Sequence, residues 1–453
     1  MDRGPNVDYR ELAQDLLRRA KGKDASGAEV IVVEDESFSV QVRMRAVDTL
    51  QSARQKRLGL RLCFGQRSAT TATSDFSSES LQRLLDDTVA MARATAEDPY
   101  AGLPEPELFS ADAPDLDLWD PEAANLPIQD RIALATAAES AALDFDPRIT
   151  NSEGGEYGHE DARLIFANSH GFAGEYRGSS VVLSVSPIAG DNSGMQRDGW
   201  YSVQRRLENL ESPESVGRTA AERALRRLGA RKVPTQQVPV VFDPDMAASL
   251  LRTICGAVSG SAIYRSASFL TGKLGEKVAS GDLTIVDDGR MAGKLGSRPF
   301  DGEGLPTRRT AIIRDGVLAS YLLDTYTGRK LGMASTGNAS RSLGQPPTVA
   351  PTNCHIVPGP CSPEQIIRSV DRGLYVTEMI GFGVNLVTGD YSRGAVGIWI
   401  ENGELTYPVE EITIAGNLKD MLEQIEMIGD DLEWRGSIVA PTLKIARMTI
   451  AGN

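Results

Sequence analysis

From Phe38 to Met44 the chain alternates strictly: Phe38, Val40, Val42 and Met44 fall on one side, and Ser39, Gln41 and Arg43 on the other. A period of two is that of a strand with one buried and one wet face, so this region is committed to a sheet covered on one side. Covering helices are at hand. Leu12, Leu16, Leu17 and Ala20 share a helical face, as do Leu81, Leu84, Leu85 and Val89 within 78–96. Strands at 29–34 and 58–64, the second carrying Cys63, complete the pattern. The reading is α+β: an amino-terminal antiparallel sheet with helices on one face.

The stretch 97–127 holds six prolines among many carboxylates and reads as an extended surface connector. A helix over 128–143 leads to strands within 151–186, with hairpin tips expected at Glu153-Gly154-Gly155 and Asn168-Ser169-His170-Gly171. A basic, alanine-rich helix at 213–229 ends at Gly229. We place the main division near 230–236, giving units of 1–232 and 233–453. In the second unit Val238–Phe242 is a short apolar strand. Asp243-Pro244 then supplies a cap and first-turn proline for a helix carrying Met246, Leu250, Leu251, Ile254 and Cys255. Asp315-Gly316 and Asn402-Gly403 signal hairpins, and Ser362-Pro363-Glu364-Gln365 is a capping-box pattern for a helix closing near Gly373. A helix from Asn417 to Gly429 and a final strand over 442–450 are expected, and the whole unit should be a twisted, mostly antiparallel sheet or partial barrel.

Charge and rare residues narrow the chemistry. With 48 Lys+Arg against 62 Asp+Glu the net charge is −14, which argues against nucleic acid or an anionic membrane as partner. Met1–Arg10 lacks the apolar core of a signal peptide, no run is long enough to span a membrane, and four dispersed cysteines make no disulfide framework. A cytoplasmic protein is expected.

The only histidines are His159, His170 and His355. Cys354, His355 and Cys361 are close in sequence, but adjacent strand residues point to opposite faces and chelate poorly. His159-Glu160 sits among glycines unsuited to a metal-binding helix, and His170 lies in a turn sequence. No G-x-S-x-G elbow, Walker motif or complete G-x-G-x-x-G is present. The acidic loops Asp287-Asp288-Gly289 and Asp301-Gly302-Glu303-Gly304 are read as solvated tips, with a calcium or magnesium site the alternative if they converge.

Two blocks, 302–339 and above all GFGVNLVTGDYSRGAVGIWIENGELTYPVEEITIAGNL at 381–418, resemble the TldD/PmbA (TldD/TldE) metallopeptidase family, as does the amino-terminal stretch around 37–77. In that family TldD-type chains carry HExxxH on a helix plus a later Cys and hold zinc, whereas PmbA/TldE-type chains lack the ligands and pair with TldD. By position the motif falls here on Arg252, Thr253 and Ala257, and no Cys follows Cys361. Arginine has no lone pair for zinc, alanine has no ligand atom and threonine is no carboxylate base. The resemblance therefore implies a PmbA/TldE-type, non-catalytic subunit with no metal of its own. Its zinc-bearing TldD-type partner would cleave small unfolded proteins and peptides, including leader peptides of modified peptide antibiotics, in a chamber both subunits enclose. Glycines at 381, 383, 389, 394 and 397 allow close backbone approach, and Asn385, Asp390, Tyr391, Ser392 and Arg393 are expected to line the chamber wall or the dimer seam, a self-bonded hairpin being the alternative. Other readings are a homodimeric peptide-binding scaffold, or a stand-alone peptidase using Cys354/His355 or a serine.

Overall fold

The computed structural model describes residues 8–110 and 114–452; the extreme amino terminus on which the signal-peptide reading partly rests, residues 1–7, lies outside them. Strands β1 (Gly27–Arg43), β2 (Ala46–Phe64), β3 (Arg67–Thr73), β4 (Ile149–Asn168), β5 (Ala173–Asp191), β6 (Gly194–Arg197) and β7 (Trp200–Gln204) form one antiparallel sheet, in the order β3-β2-β1-β4-β5-β6 with β7 also on β5. Helices α1 (Tyr9–Lys21) and α2 (Ser78–Ala94) cover one end of one face, burying Val30, Val32, Leu58 and Leu60. Helices α3 (Ile128–Leu143) and α4 (Pro213–Leu225) cover the other end of that face over Phe38, Val40, Val42 and Tyr157. The alternation from Phe38 to Val42 is the inward face, and the expected α+β architecture holds. On the opposite face Ile31 and Phe166 meet Phe300 of the carboxy-terminal half.

Several local readings change: Met44 is an exposed turn residue with φ +50° and not part of the inward face, and the helix opened by Ser362 ends at Arg368, with Gly373 standing in a strand. No hairpin tip forms at 153–155: β4 runs through it with a bulge, Gly154 taking φ +128°. A Cβ on Gly155 would stand 2.5 Å from the Ala135 carbonyl oxygen, so these glycines let α3 lie against the sheet. The acidic connector is no free surface strap. Leu103, Leu116 and Leu118 are buried, Arg329 donates to the Leu103 carbonyl at 2.7 Å, and Tyr326 Oη donates to Asp98 at 2.9 Å. The helix expected over 417–429 stops at Glu423, because Ile425–Ile428 pairs with the final strand. The helix at 213–229 stops at Leu225, and turns carry the chain to Gly229.

The carboxy-terminal half carries a ring of five strands: β8 (Gln236–Phe242), β9 (Arg372–Ile380), β10 (Asp390–Glu401), β11 (Glu404–Asn417) and β12 (Leu443–Ala451). Each pairs with the next, and β12 pairs with β8 to close it; β8–β9 is the one parallel contact. The partial barrel expected from sequence is thus closed. Helix α5 (Pro244–Ala257) leaves the end of β8, capped by Asp243 and burying Leu250, Leu251, Ile254 and Cys255. A smaller sheet that includes Ile285–Asp288 and Cys354–Ile356 packs on its buried side through Cys354 and Ile285.

The acidic loops are not solvated tips. Asp287, Asp301 and Glu303 are buried, and the chain itself satisfies them. Asp287 accepts from Thr352 and Asn338, Asp301 from three backbone amides, and Glu303 from the Thr325 amide. Burial pushes the Asp301 and Glu303 carboxyls up, and in Glu303 the neighbouring Asp301 and Asp324 charges push further. Among the described residues no three His, Cys, Asp or Glu side chains are grouped to hold a metal ion.

Candidate functional site

Helix α5 is where a ligand set would stand, and its geometry follows from its regularity. Positions 252 and 257 are five residues apart, so at 3.6 residues per turn they point roughly 140° apart. Arg252 is accordingly exposed, while Ala257 is fully buried against the core. Thr253 lies between, its hydroxyl donating to the Ser249 carbonyl at 3.2 Å. A side chain grown from 257 would enter the core rather than meet one from 252. These residues do not fit a bound zinc ion.

The half-open face of the helix, Asp245, Ser249, Arg252, Thr253 and Gly256, has a stepped helical spacing. The amino-terminal half supplies neighbours through β7. Tyr201 Oη reaches Asp245 at 3.5 Å and lies close enough to Arg252 to feel its charge, and Trp200 stacks beneath the Arg435 guanidinium at 4.1 Å. Arg435 is also near Asp245, at 3.7 Å. From the barrel, Arg393 donates to the Ser249 hydroxyl at 3.0 Å. Asp243, beneath the helix, is buried, and burial pushes its carboxyl up to about 7 despite the bond from the Met246 amide and the charge of Arg223.

The loop between β9 and β10 is the other half of the site. The Ser392 amide donates to the Gly383 carbonyl at 2.7 Å, and a Cβ on Gly383 would lie 1.9 Å from Ser392 O. The close approach these glycines permit is to their own hairpin. Asn385 accepts from the Val387 and Thr388 amides, and Asp390 from Thr388 and Asn417. Asn385, Asp390 and Ser392 are exposed and Arg393 is half-buried. Tyr391 is a correction: only 1% exposed, its hydroxyl against Met379 Sδ, it belongs to the core and not to a wall. Burial pushes its phenol up to about 12. The exposed groups missed from sequence are apolar: Ile380, Val387 and the wholly exposed Phe382. A phenylalanine set between two glycines in a Gly-rich loop was the signal available for them.

The remaining candidates separate. Cys354 is fully buried with its sulfur 3.3 Å from Cys255, and that hydrogen bond and burial push its thiol well up, the opposite of an activated nucleophile. His355 lies beside Trp434, its Nδ1 buried without a partner. His170 Nδ1 bonds the Pro104 carbonyl oxygen in its turn, and His159 stands in mid-strand on β4.

A closed five-stranded barrel joined to a long half-covered sheet, with a capped helix leaving the first barrel strand, defines a two-part α+β protein. The chain belongs to the PmbA/TldD family: the family's "PmbA/TldA metallopeptidase" models match as domain 1 at residues 28–92, central domain at 121–228 and C-terminal domain at 235–452. It is 40% identical to "Metalloprotease PmbA" of Escherichia coli O157:H7, covering 98% of this chain and 96% of that one. It is 37% identical to the PmbA homologue of Haemophilus influenzae, over 95% and 93%. Among solved structures it resembles a putative modulator of DNA gyrase from Bacteroides thetaiotaomicron, with a TM-score of 0.91, 30% identity and coverage of 99% and 100%. The fold is also that of TldE from Thermococcus kodakarensis, with a TM-score of 0.87 at 23% identity over 97% and 99% of the chains.

Proposed function

We propose that this chain is a PmbA/TldE-type subunit that carries no zinc of its own. It pairs in the cytoplasm with a TldD-type chain bearing HExxxH and shapes the chamber in which that partner cleaves small unfolded proteins and peptides. The observation that carries the reading is α5: Arg252 at the surface, Thr253 bonded to its own helix and Ala257 sealed in the core supply neither a ligand pair nor a base. The loop at 380–393, with Asn385, Asp390, Ser392 and Arg393 beside the exposed Ile380, Phe382 and Val387, is the surface offered to peptide or partner. Extended peptides suit such a site because main-chain hydrogen bonds bind them with little regard to sequence.

The test has two arms. The chain purified alone is expected to hold well under one zinc per molecule by elemental analysis and to leave an unstructured peptide intact. Co-expressed with a TldD-type companion, it should co-purify with it and the pair should cleave in a chelator-sensitive way. Stoichiometric zinc with chelator-sensitive cleavage by the chain alone would overturn the non-catalytic assignment. A stable homodimer that ignores the companion would favour the scaffold reading instead.

A further inference from the structure

We infer that the open face of α5 is a carboxylate-binding site, formed by Arg252 and Arg393, that holds a peptide by a carboxylate group; this rests on the peptide-handling role proposed above. Arg393 donates to Ser249 Oγ at 3.0 Å, and its second terminal nitrogen faces the Met379 carbonyl oxygen at 3.5 Å. Both partners are neutral, and Nε is buried without a partner. The guanidinium is therefore fixed in direction while its charge is left uncompensated. Ser249 lies three residues before Arg252 on the same helix, about 4.5 Å along the axis, so Arg393 is anchored just under one turn from a second arginine. Arg252 is exposed and pairs with no carboxylate among the described residues.

The surroundings make the pair distinctive. The chain carries −14, and Arg435 nearby is matched by Glu433 and Asp245. Two unmatched arginines beside one helix face, Arg252 on the helix and Arg393 on β10, the latter pre-oriented by neutral hydrogen bonds, form a cationic pair suited to a planar carboxylate. Tyr201, brought by β7 against the same face and exposed, gives the neighbouring peptide segment an aromatic surface. The ligand group is a peptide carboxylate, at the chain terminus or on an Asp or Glu side chain.

The experiment uses the full chain and a short unstructured peptide without acidic side chains, dye-labelled at its amino terminus, with binding followed by fluorescence anisotropy. Three forms are compared: the free acid, the carboxy-terminal amide, and the amide with one internal aspartate. The free acid should bind roughly tenfold tighter than the amide, the loss expected for charge-assisted hydrogen bonds. Arg252→Gln and Arg393→Gln should each shrink that ratio, and Arg393→Lys, which keeps the charge but not the fork, should restore it only in part. Thermal melts establish that each variant is folded; Arg252, being exposed, keeps the test open should Arg393 variants unfold. Tight binding by the internal-aspartate amide assigns the carboxylate to a side chain, and its failure to bind tightly assigns it to the terminus. Equal binding of free acid and both amides overturns the inference while leaving the peptide-handling role intact. Absence of binding by all three removes both.

Discussion

Asp243 serves two masters: its carboxylate caps α5 by accepting from the Met246 amide, yet it is buried at 4% exposure and pushed up to about 7. Its ordinary value is 3.8, so between about pH 4 and 7 the unfolded chain gives up this proton before the folded one does. Stability from this group is fully present below the unfolded value and is lost as pH rises through the folded one. At about 1.4 kcal/mol per pH unit the window is worth roughly 4 kcal/mol. Asn at 243 keeps the cap and has no proton to lose. Asp243→Asn is therefore expected to raise the urea midpoint at pH 7–8 and to match the parent near pH 4; a difference independent of pH would refute the argument. Glu29 shows the opposite balance. Burial alone would raise its carboxyl, but Arg341 at 2.7 Å and Arg61 at 3.2 Å hold it below the usual range. Glu29→Gln strands two buried guanidiniums, and a loss of about 3–5 kcal/mol is expected by denaturant titration at neutral pH.

At the scale of elements, the barrel closes through glycine. A Cβ on Gly397 of β10 would lie 2.2 Å from the Tyr375 carbonyl oxygen on β9, a contact that backbone cannot relieve without parting the strands. Gly397→Ala should cost about 2–3 kcal/mol, read as a lowered melting temperature, whereas Ala at the exposed turn residue Gly272, which has open space but φ +76°, should cost less. An equal cost at both positions would mean that strand contact is not the cause. What sequence could disclose divides along similar lines. Alternation at 38–42, the caps at Asp243 and Ser362 and the Asn402-Gly403 turn are local signals, read correctly because local chemistry decides them. The helix over 417–429 was misread because Leu418, Met421, Leu422, Ile425 and Ile428 fit a helical stripe, while pairing of Ile425 with Ile445 depends on a strand far along the chain. Burial of Asp301 and Glu303 was equally hidden, since the amides of Leu305, Ala339 and Thr325 that receive them meet only in the folded chain. In the candidate site the occupants of 252, 253 and 257 were legible one by one. Their directions, and the inward turn of Tyr391, needed the helix and the barrel.

The molecule as a whole is tied across its two halves by polar groups: Glu29 and Arg61 of the sheet with Arg341 beyond the division, and Asp98 and Leu103 of the connector with Tyr326 and Arg329. Beside α5 the two halves also meet through Tyr201 on β7 and Asp245 on the helix. The opposite wall, the 380–393 loop, is rigid in its backbone through the Gly383–Ser392 and Asn385–Asp390 hydrogen bonds but ends in apolar side chains that this chain leaves uncovered. A self-bonded loop that presents Phe382 at full exposure has the organisation of an association hot spot, an aromatic group held ready at little entropic cost. Because Phe382 touches no core, Phe382→Ser should leave the chain's own melting behaviour unchanged, within about 0.5 kcal/mol. Binding of the TldD-type companion should weaken by about 2 kcal/mol, some thirtyfold in Kd, measured by titration of the purified subunits. Unchanged association would remove the loop from the subunit contact and leave peptide contact as its role; a fall in the chain's own stability would show that Phe382 packs where the structure leaves it free.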